Sequence, residues 1–440
     1  MSDALTSESM SPGLVRVAER ARHEPQAKFH SLAHLIDVDA LRRAFHRQRP
    51  TAAPGVDGVT KEQYGQELEA NLQNLYERLR NKRWRHQPIQ RVHIPKDEKG
   101  KTRPIGISCF EDKIVQNALS EVLTAVYEQD FHDCSYGFRP GRSAHDVLRE
   151  LNRVVMIGEA RVILEADIQS FFDRIDRTKL IGFLRERIPD GSIIRLVGKC
   201  LQVGVLDGEE ISTPDEGTAQ GSCLSPLLGN IYLHYVLDVW FEDEIVPRLR
   251  GKATLLRFAD DFVIGFSHSE DAERVMEVLG KRLGKYGLTL QPEKTRLIPF
   301  VRPLRRQTTG KGPGTFDFLG FSWYWRRARS GLWALASKTR RDRLKRTIRE
   351  LYRWCRRHRH RPISEQHAGL CRRIRGHINY FGITGNGQSV ARLVRAVVFM
   401  WYKWLRRRSQ RTRLTWERYC HGLLREYPLP RPQIVVNIWS

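Results

Sequence analysis

The chain has 440 residues, enough for two or three domains at roughly 100–200 residues each, and its 40% hydrophobic content excludes wholesale disorder. Charge is the abnormal quantity: residues 321–440 hold 29 Lys and Arg against 5 acids, while residues 1–320 are nearly neutral at 46 against 45. No run approaches the ~20 apolar residues that span a bilayer, and MSDALTSESMSPG lacks a signal-peptide pattern, so the chain reads as soluble.

Residues 1–30 are expected to form a loosely ordered leader. Asp37 can cap a short helix to Arg47, TAAPGVDG (51–58) is a Pro/Gly loop, and 60–80 carries apolar residues at helical spacing. Residues 91–95 read as a strand that turns through 96–100 and returns over 102–107. Ile114, Val115, Ala118, Leu119, Val122, Leu123 and Val126 keep the rhythm of a buried helix. Residues 161–164 form a β-rich run ending at Glu165-Ala166-Asp167, and helices are expected over 176–188, 192–203 and 224–244. The clearest hairpin pairs 254–258 with 262–266, with Ala259-Asp260-Asp261 at its tip. A helix from Ser269 to Tyr286, strands near 288–290, 296–300 and 316–324, and basic helices at 338–358 and 389–408 complete the pattern. Strands and helices mix without a βαβ repeat, so the body is α+β, followed by a helical tail.

Asp167 closes a strand and Asp260 and Asp261 sit at a hairpin tip, so these carboxylates are the first candidates for holding a hard divalent cation. Asp is also a favoured turn residue, and the pair alone is weak evidence. In the tail, eight of the ten tryptophans accompany the excess charge, a composition suited to a polyanion with exposed bases. Seven cysteines, an odd number at wide spacing, argue against a disulfide framework. Cys355, His358, His367 and Cys371 have a spacing that could ligate zinc, although the surrounding Leu/Trp/Arg helical pattern equally suits core or surface roles.

Arg257-Phe258-Ala259-Asp260-Asp261-Phe262-Val263-Ile264 resembles the aromatic-Ala-Asp-Asp hairpin of group II intron reverse transcriptases. Five further segments match in order: Ile94-Pro95-Lys96 with Gly100 to Ile107; Ser135-Tyr136-Gly137-Phe138-Arg139-Pro140-Gly141-Arg142-Ser143-Ala144-His145; Glu165 to Asp173; Glu216 to Ser222 with Leu224 to Leu228; and Leu290 to Thr295 with Phe318 to Phe321. The resemblance runs from about Asp37 to the C-terminus. It implies a right-hand polymerase fold, with fingers and palm over 31–325 and an all-helical, basic thumb or maturase domain over 326–440.

The resemblance also implies roles. Asp167, the Ile168 carbonyl, Asp260 and Asp261 would hold two Mg²⁺ ions, or Mn²⁺ in their place, with Asp167 and Asp260 bridging and Asp261 adding charge beside them. Lys96, Lys101 and Arg103 would neutralise the incoming deoxynucleoside triphosphate, and Gln220 and Gly221 would position its sugar and base. Phe172 would exclude a 2′-hydroxyl, unless Phe171 beside it is the gate. Lys294 would donate a proton to pyrophosphate, Arg139 and Arg142 would touch template or nucleotide or else pair structurally with acids, and Phe318, Leu319, Gly320 and Phe321 would grip the DNA primer end. Ala219, Cys223 and Phe258 depart from the usual residues without removing a ligand or charge. In the tail, Arg406, Arg407 and Arg408 are candidates for gripping RNA.

Longer members of the family add a Cys/His-rich nuclease domain. This chain stops soon after the thumb, which implies a short form that does not cut its own DNA target. The expectation is a soluble, cytoplasmic bacterial RNA-directed DNA polymerase that also binds intron RNA and assists splicing and mobility. The competing readings are a splicing factor with a vestigial site, a domesticated enzyme of phage defence or repair, and an RNA-templated RNA polymerase. The intact carboxylate set speaks against the first of these, and Phe172 against the last.

Overall fold

The computed structural model describes residues 10–95, 102–158, 160–207, 210–212, 217, 221–304, 314–328, 330–409 and 414–439, and side chains at all of these except 95, 103 and 210–212. Helices α1 (Pro12–His23), α2 (Val38–Arg47), α3 (Lys61–Gly65) and α4 (Leu68–Arg80) precede strands β1 (Ile89–Pro95) and β2 (Thr102–Ile107). Helix α5 (Phe110–Asp130) follows, buried over most of its circumference, and the four preceding helices and the palm are built around it. The described part of the expected loose leader is ordered instead. Ser11 caps α1, Leu14 and Ala21 are buried, and α1 packs on α5. The Asp190 carboxylate accepts from the Leu32 and Ala33 amides at 2.6 and 2.9 Å, and Arg187 reaches the Ala27 carbonyl while pairing with Asp130. These partners lie more than 150 residues downstream, so no local pattern could announce them.

Next come α6 (Ala144–Met156), β3 (Val162–Asp167), α7 (Arg177–Arg187), α8 (Gly191–Leu201), β4 (Val205–Asp207), β5 (Glu210–Ser212) and α9 (Ser225–Leu233). The helix expected over 224–244 continues beyond α9 as wider π-type turns to Ile245. The fingers sheet has order β2-β1-β4-β5, its β4 running parallel to β1. Sequence periodicity missed β4 and β5 because each is three residues long.

The palm adds β6 (Ala253–Phe258), β7 (Asp261–Phe266), α10 (Ser269–Lys285) and β8 (Arg296–Pro299), giving a second antiparallel sheet of order β6-β7-β3-β8. Side chains alternate across it. Leu164, Phe262 and Ile264 enter the core formed with α5 and α9, while Ile163, Leu256 and Val263 enter a second core shared with α6. Both faces are covered, and the carboxylates can emerge only at the strand ends.

Strands β9 (Phe316–Phe318), β10 (Phe321–Arg327) and β11 (Trp333–Thr339) form a third sheet before α11 (Arg341–His358), α12 (Ile363–Phe381) and α13 (Gly387–Arg406). The expectation of an all-helical region from 326 is therefore corrected. Residues 333–339 pair along the whole of β10, and the long helices begin at Arg341. Alternate burial of Phe321, Trp323 and Trp325 is the period-2 signal that outweighs the helical charge pattern there. Leu344, Leu351, Leu370, Ile374, Val397 and Trp401 close the three-helix core.

Cys355 lies inside that core, His358 stacks on Trp354, and His367 contacts Cys371 and the Pro428 carbonyl. Among the described residues no three His, Cys, Asp or Glu side chains are placed to hold a metal ion. The zinc reading thus finds no support, and packing accounts for these residues. No described helix is long and apolar enough to cross a membrane.

Candidate active site

Strands β3 and β7 are antiparallel neighbours whose register sets Asp167 directly opposite Asp261. Phe258 faces Asp261 across β6 and β7, so the hairpin closes through two residues, Ala259 and Asp260. Ala259 has φ +58°, the positive value that the first central residue of a type II′ turn requires. Asp260 therefore stands at the turn while Asp261 begins the strand. Asp261, expected to add charge beside a bridging pair, is the residue placed against Asp167.

The Asp261 carboxyl is pushed up to about 7, first by burial and then by the negative charge of Asp167, with Asp260 and Glu165 adding to it. One oxygen accepts the Leu319 amide at 3.3 Å, which works in the opposite direction. Lys294 places its ammonium 2.5 Å from Asp167 Oδ2. Ile168, buried below, bridges to Leu290 through the Asp167 carbonyl and the Gln169 amide, so its own carbonyl takes no part in that pairing. Two opposed carboxylates, one of them raised, and a cation already drawn to Asp167 suit a divalent metal ion, but Asp260 is not gathered with Asp167 and Asp261 as a third ligand in this structure.

The hairpin is held from behind. Arg257 is fully buried; burial opposes its charge, but the Asp238 carboxylate outweighs that, and two bonds of 2.7 and 2.5 Å join them. The same guanidinium donates to Ser135 Oγ, Asn230 Oδ1 and the Ala259 carbonyl. Asn230 in turn donates to the Gly137 carbonyl at 2.6 Å. A Cβ on Gly137 would stand 2.4 Å from the Ala259 amide nitrogen, so only glycine lets this loop meet the turn. The sequence marks Arg257 only as a charge set between the apolar Leu256 and Phe258.

Two residues left open between nucleic-acid contact and pairing with acids are both paired in this frame. Arg139 is buried and spends its guanidinium on Glu128 and the His132 and Ser135 carbonyls. Arg142 is tied to the Asp133 side chain and carbonyl and lies over the Tyr136 ring. Both shape the loop that backs the hairpin, Arg139 from inside it and Arg142 from a partly exposed position.

The remaining candidates divide. Phe171 is buried and Phe172 only half-buried, with their rings 5.1 Å apart, so Phe172 is the one available at the surface. Gly221, at φ +114°, backs onto the Gly106 carbonyl of β2, leaving no room for a Cβ. Phe318 and Phe321 are buried anchors of a two-residue turn, Leu319 at φ +51° and Gly320 at φ +81°. That turn reaches Asp261 through the Leu319 amide and receives the Tyr380 hydroxyl of α12 at the Leu319 carbonyl, 2.9 Å away. Arg406 and Arg407 are exposed at the end of α13, whereas Arg408 donates to the His360 carbonyl. Lys96, Lys101, Gln220 and the Arg103 side chain lie outside the described residues. A cleft of about 790 Å³ joins Ile94 and Ile105 of the fingers, Asp167 and Asp261, the Leu319 turn, and Arg343 and Arg346 of α11.

The family profile described as reverse transcriptase (RNA-dependent DNA polymerase) matches residues 94–323. The chain belongs to the reverse transcriptases. Protein YkfC of Escherichia coli K12 is 33% identical over 321 residues, covering 65% of this chain and 84% of that protein. The group II intron-encoded protein LtrA of Lactococcus lactis is 29% identical over 300 residues, covering 66% of this chain and 50% of LtrA. A putative COX1/OXI3 intron 1 protein of Saccharomyces cerevisiae is 28% identical over 312 residues, 60% of this chain and 37% of that protein. The chain thus spans most of the first relative but half or less of the two intron proteins. With these relatives it falls in the group II intron branch of the reverse transcriptases, which are RNA-directed DNA polymerases working with divalent metal ions.

The raised Asp261 carboxyl has a measurable consequence. It keeps its proton up to about pH 7, and a cation must displace that proton to use the carboxylate. Below about pH 7 the divalent-ion concentration for half-maximal primer extension should rise by up to about tenfold per unit of acidification, and above it should level off. Ion titrations of extension rate at several pH values measure this, and a midpoint indifferent to pH would refute the placement of Asp261 in the ion site.

Proposed function

We propose that this reverse transcriptase extends a DNA primer on an RNA template with two Mg²⁺ ions held by Asp167, the Ile168 carbonyl, Asp260 and Asp261. The register of β3 on β7, which opposes two aspartates at the mouth of the cleft, is the observation that carries this reading. Mg²⁺ is a hard cation suited to carboxylate and carbonyl oxygen, and when bound it would lower the charge barrier to in-line attack on a phosphate.

The chain's own residues supply the rest. Lys294, held on Asp167, would deliver a proton to departing pyrophosphate. The Leu319–Gly320 turn, braced by Phe318 and Phe321, supports the primer end beside Asp261. Lys96, Lys101 and Arg103 follow the fingers strand β1 in sequence and would meet the triphosphate. Gly221, beside β2, and Gln220, which precedes it in sequence, would position the nucleotide's sugar and base. Phe172, half-buried on the buried Phe171, would close the space beside the ribose.

A second activity, binding and assisting the splicing of a group II intron RNA, is supported by the intron proteins among the relatives and by the exposed cations of α13. We propose intron RNA as that partner. A domesticated role would use the same chemistry.

Asp167→Asn and Asp260→Asn should each abolish extension on an RNA template while RNA affinity in low magnesium hardly changes, because the shape survives and the ligand charge does not. Primer-extension gels and filter binding read the two quantities; appreciable extension by either variant would sink the metal assignment. Phe172→Val should raise the ratio of ribo- to deoxynucleotide insertion efficiency by opening space at the 2′ position. An unchanged ratio would assign Phe172 to packing alone. Replacing Arg406 and Arg407 by Gln should flatten the log–log salt dependence of intron-RNA binding by about 1.4–1.8 units, at about 0.7–0.9 per neutralised phosphate. An unaltered slope would remove these residues from the RNA surface.

A further inference from the structure

Helix α11 separates two hollows. Arg343, Arg346, Thr347 and Glu350 line the catalytic cleft. Arg341, Leu344, Lys345 and Ile348 line a different groove, of about 620 Å³, between α11, α13 and the β10–β11 sheet. At 3.6 residues per turn the two sets point roughly 150° apart, and the groove shares no lining residue with the cleft.

The groove is built of cations. Lys338, Arg341, Lys345, Arg392 and Arg395 converge on it, all exposed, and no acidic residue lines it. Among the described residues none of the five forms an ion pair with a carboxylate, unlike Arg340 next door, which is paired with Asp342. Gathering five unpaired like charges costs free energy unless an anion takes up the field. A second observation points the same way. Ser337, 1% exposed, lines the groove with its hydroxyl unpartnered, and a buried polar atom in that state calls for a ligand acceptor or donor. The long helix α13 also begins at Gly387, beside the groove residues Gln388 and Ser389, which turns a positive helix end toward it.

We propose that this groove is a second RNA site, which binds the phosphodiester backbone of an RNA segment distinct from the template–primer in the cleft. The inference rests on the reading that the C-terminal region grips RNA. The spread of five cations over β11, α11 and α13 favours a run of phosphates over a single small anion. The Ser337 hydroxyl would donate to a phosphate oxygen, and the guanidiniums of Arg392 and Arg395 would take neighbouring ones. Arg341 and Lys345 also border a mixed-charge hollow next to the cleft; Arg392 and Arg395 border the groove without bordering that hollow or the cleft, and make the cleaner probe.

The test uses the full chain with its cleft filled by a short hairpin primer–template, titrated with double-stranded RNA whose 3′ ends are blocked. The double variant Arg392→Gln with Arg395→Gln should flatten the log–log salt slope for the blocked RNA by about 1.4–1.8 units. Affinity for the short hairpin should change less than about twofold, since its backbone lies on the other side of α11. The charge-retaining pair Arg392→Lys with Arg395→Lys should restore most of the slope, and Ser337→Ala should weaken binding without changing it. Extension of the hairpin reports that each variant is folded. An unchanged slope in the Gln double variant overturns the proposal. So does competition by inorganic phosphate or pyrophosphate that saturates the groove with no loss of RNA binding, which would make it a small-anion site. If the blocked RNA binds the parent protein and responds to Arg406→Gln with Arg407→Gln alone, the groove fails and the RNA-binding tail stands. If the parent does not bind it at all, both readings fall together.

Discussion

One buried guanidinium organises the catalytic end of this molecule. Arg257 sits on β6, one residue before the hairpin closes, and joins the helical segment carrying Asp238, the α9 residue Asn230, the loop residue Ser135 and the turn carbonyl of Ala259. A charge in that position is expensive unless paired and fully bonded, and removing one partner of such a pair typically costs about 3–5 kcal/mol. The result is a stiff hairpin whose tip carries Asp260 and Asp261. Stiffness matters because the two facing aspartates repel each other and the turn would otherwise relax away from the cleft.

The same frame explains a string that looks like a substrate-contact loop. Ser135 to His145 is rich in Arg and Gly, yet its guanidiniums are taken up by Glu128, Asp133 and backbone carbonyls. Gly137 lies against Ala259, and His145 bonds the Tyr380 carbonyl of α12. The loop therefore fastens the hairpin on one side and the helical domain on the other. Its distinctive composition reflects close backbone approach and internal hydrogen bonding.

The helical domain is coupled to the carboxylates over a short path. Tyr380 donates to Leu319, whose amide donates to Asp261, and the Arg340 amide bonds the Gly320 carbonyl where the sheet hands over to α11. A shift of the helical domain on a nucleic acid would be felt at the carboxylate through two hydrogen bonds. Leu319 holds a left-handed conformation costly for a branched side chain, a strain of order 1–3 kcal/mol that persists only where the surroundings over-determine it.

The sequence by itself determined the parts whose physics is local. Alternating apolar runs with a two-residue closure specify the β6–β7 hairpin, helical periodicity specifies α5, α7, α8 and α10, and composition specifies a basic tail. The order of the motifs was enough to name the family and to single out Asp167, Asp260 and Asp261. Tertiary structure decided whatever depends on partners far along the chain. The docking of residues 10–36 rests on Arg187 and Asp190, and the pairing of Arg139 and Arg142 within their own loop rests on that loop folding back upon itself. The strand at 333–339 forms because β10 offers a complete edge. Charge was legible as a total, but its division between a catalytic cleft and a separate groove was not, because that depends on which face of α11 each neighbour covers. Hydrogen bonding and burial are long-range in sequence, and only the folded chain brings their partners together.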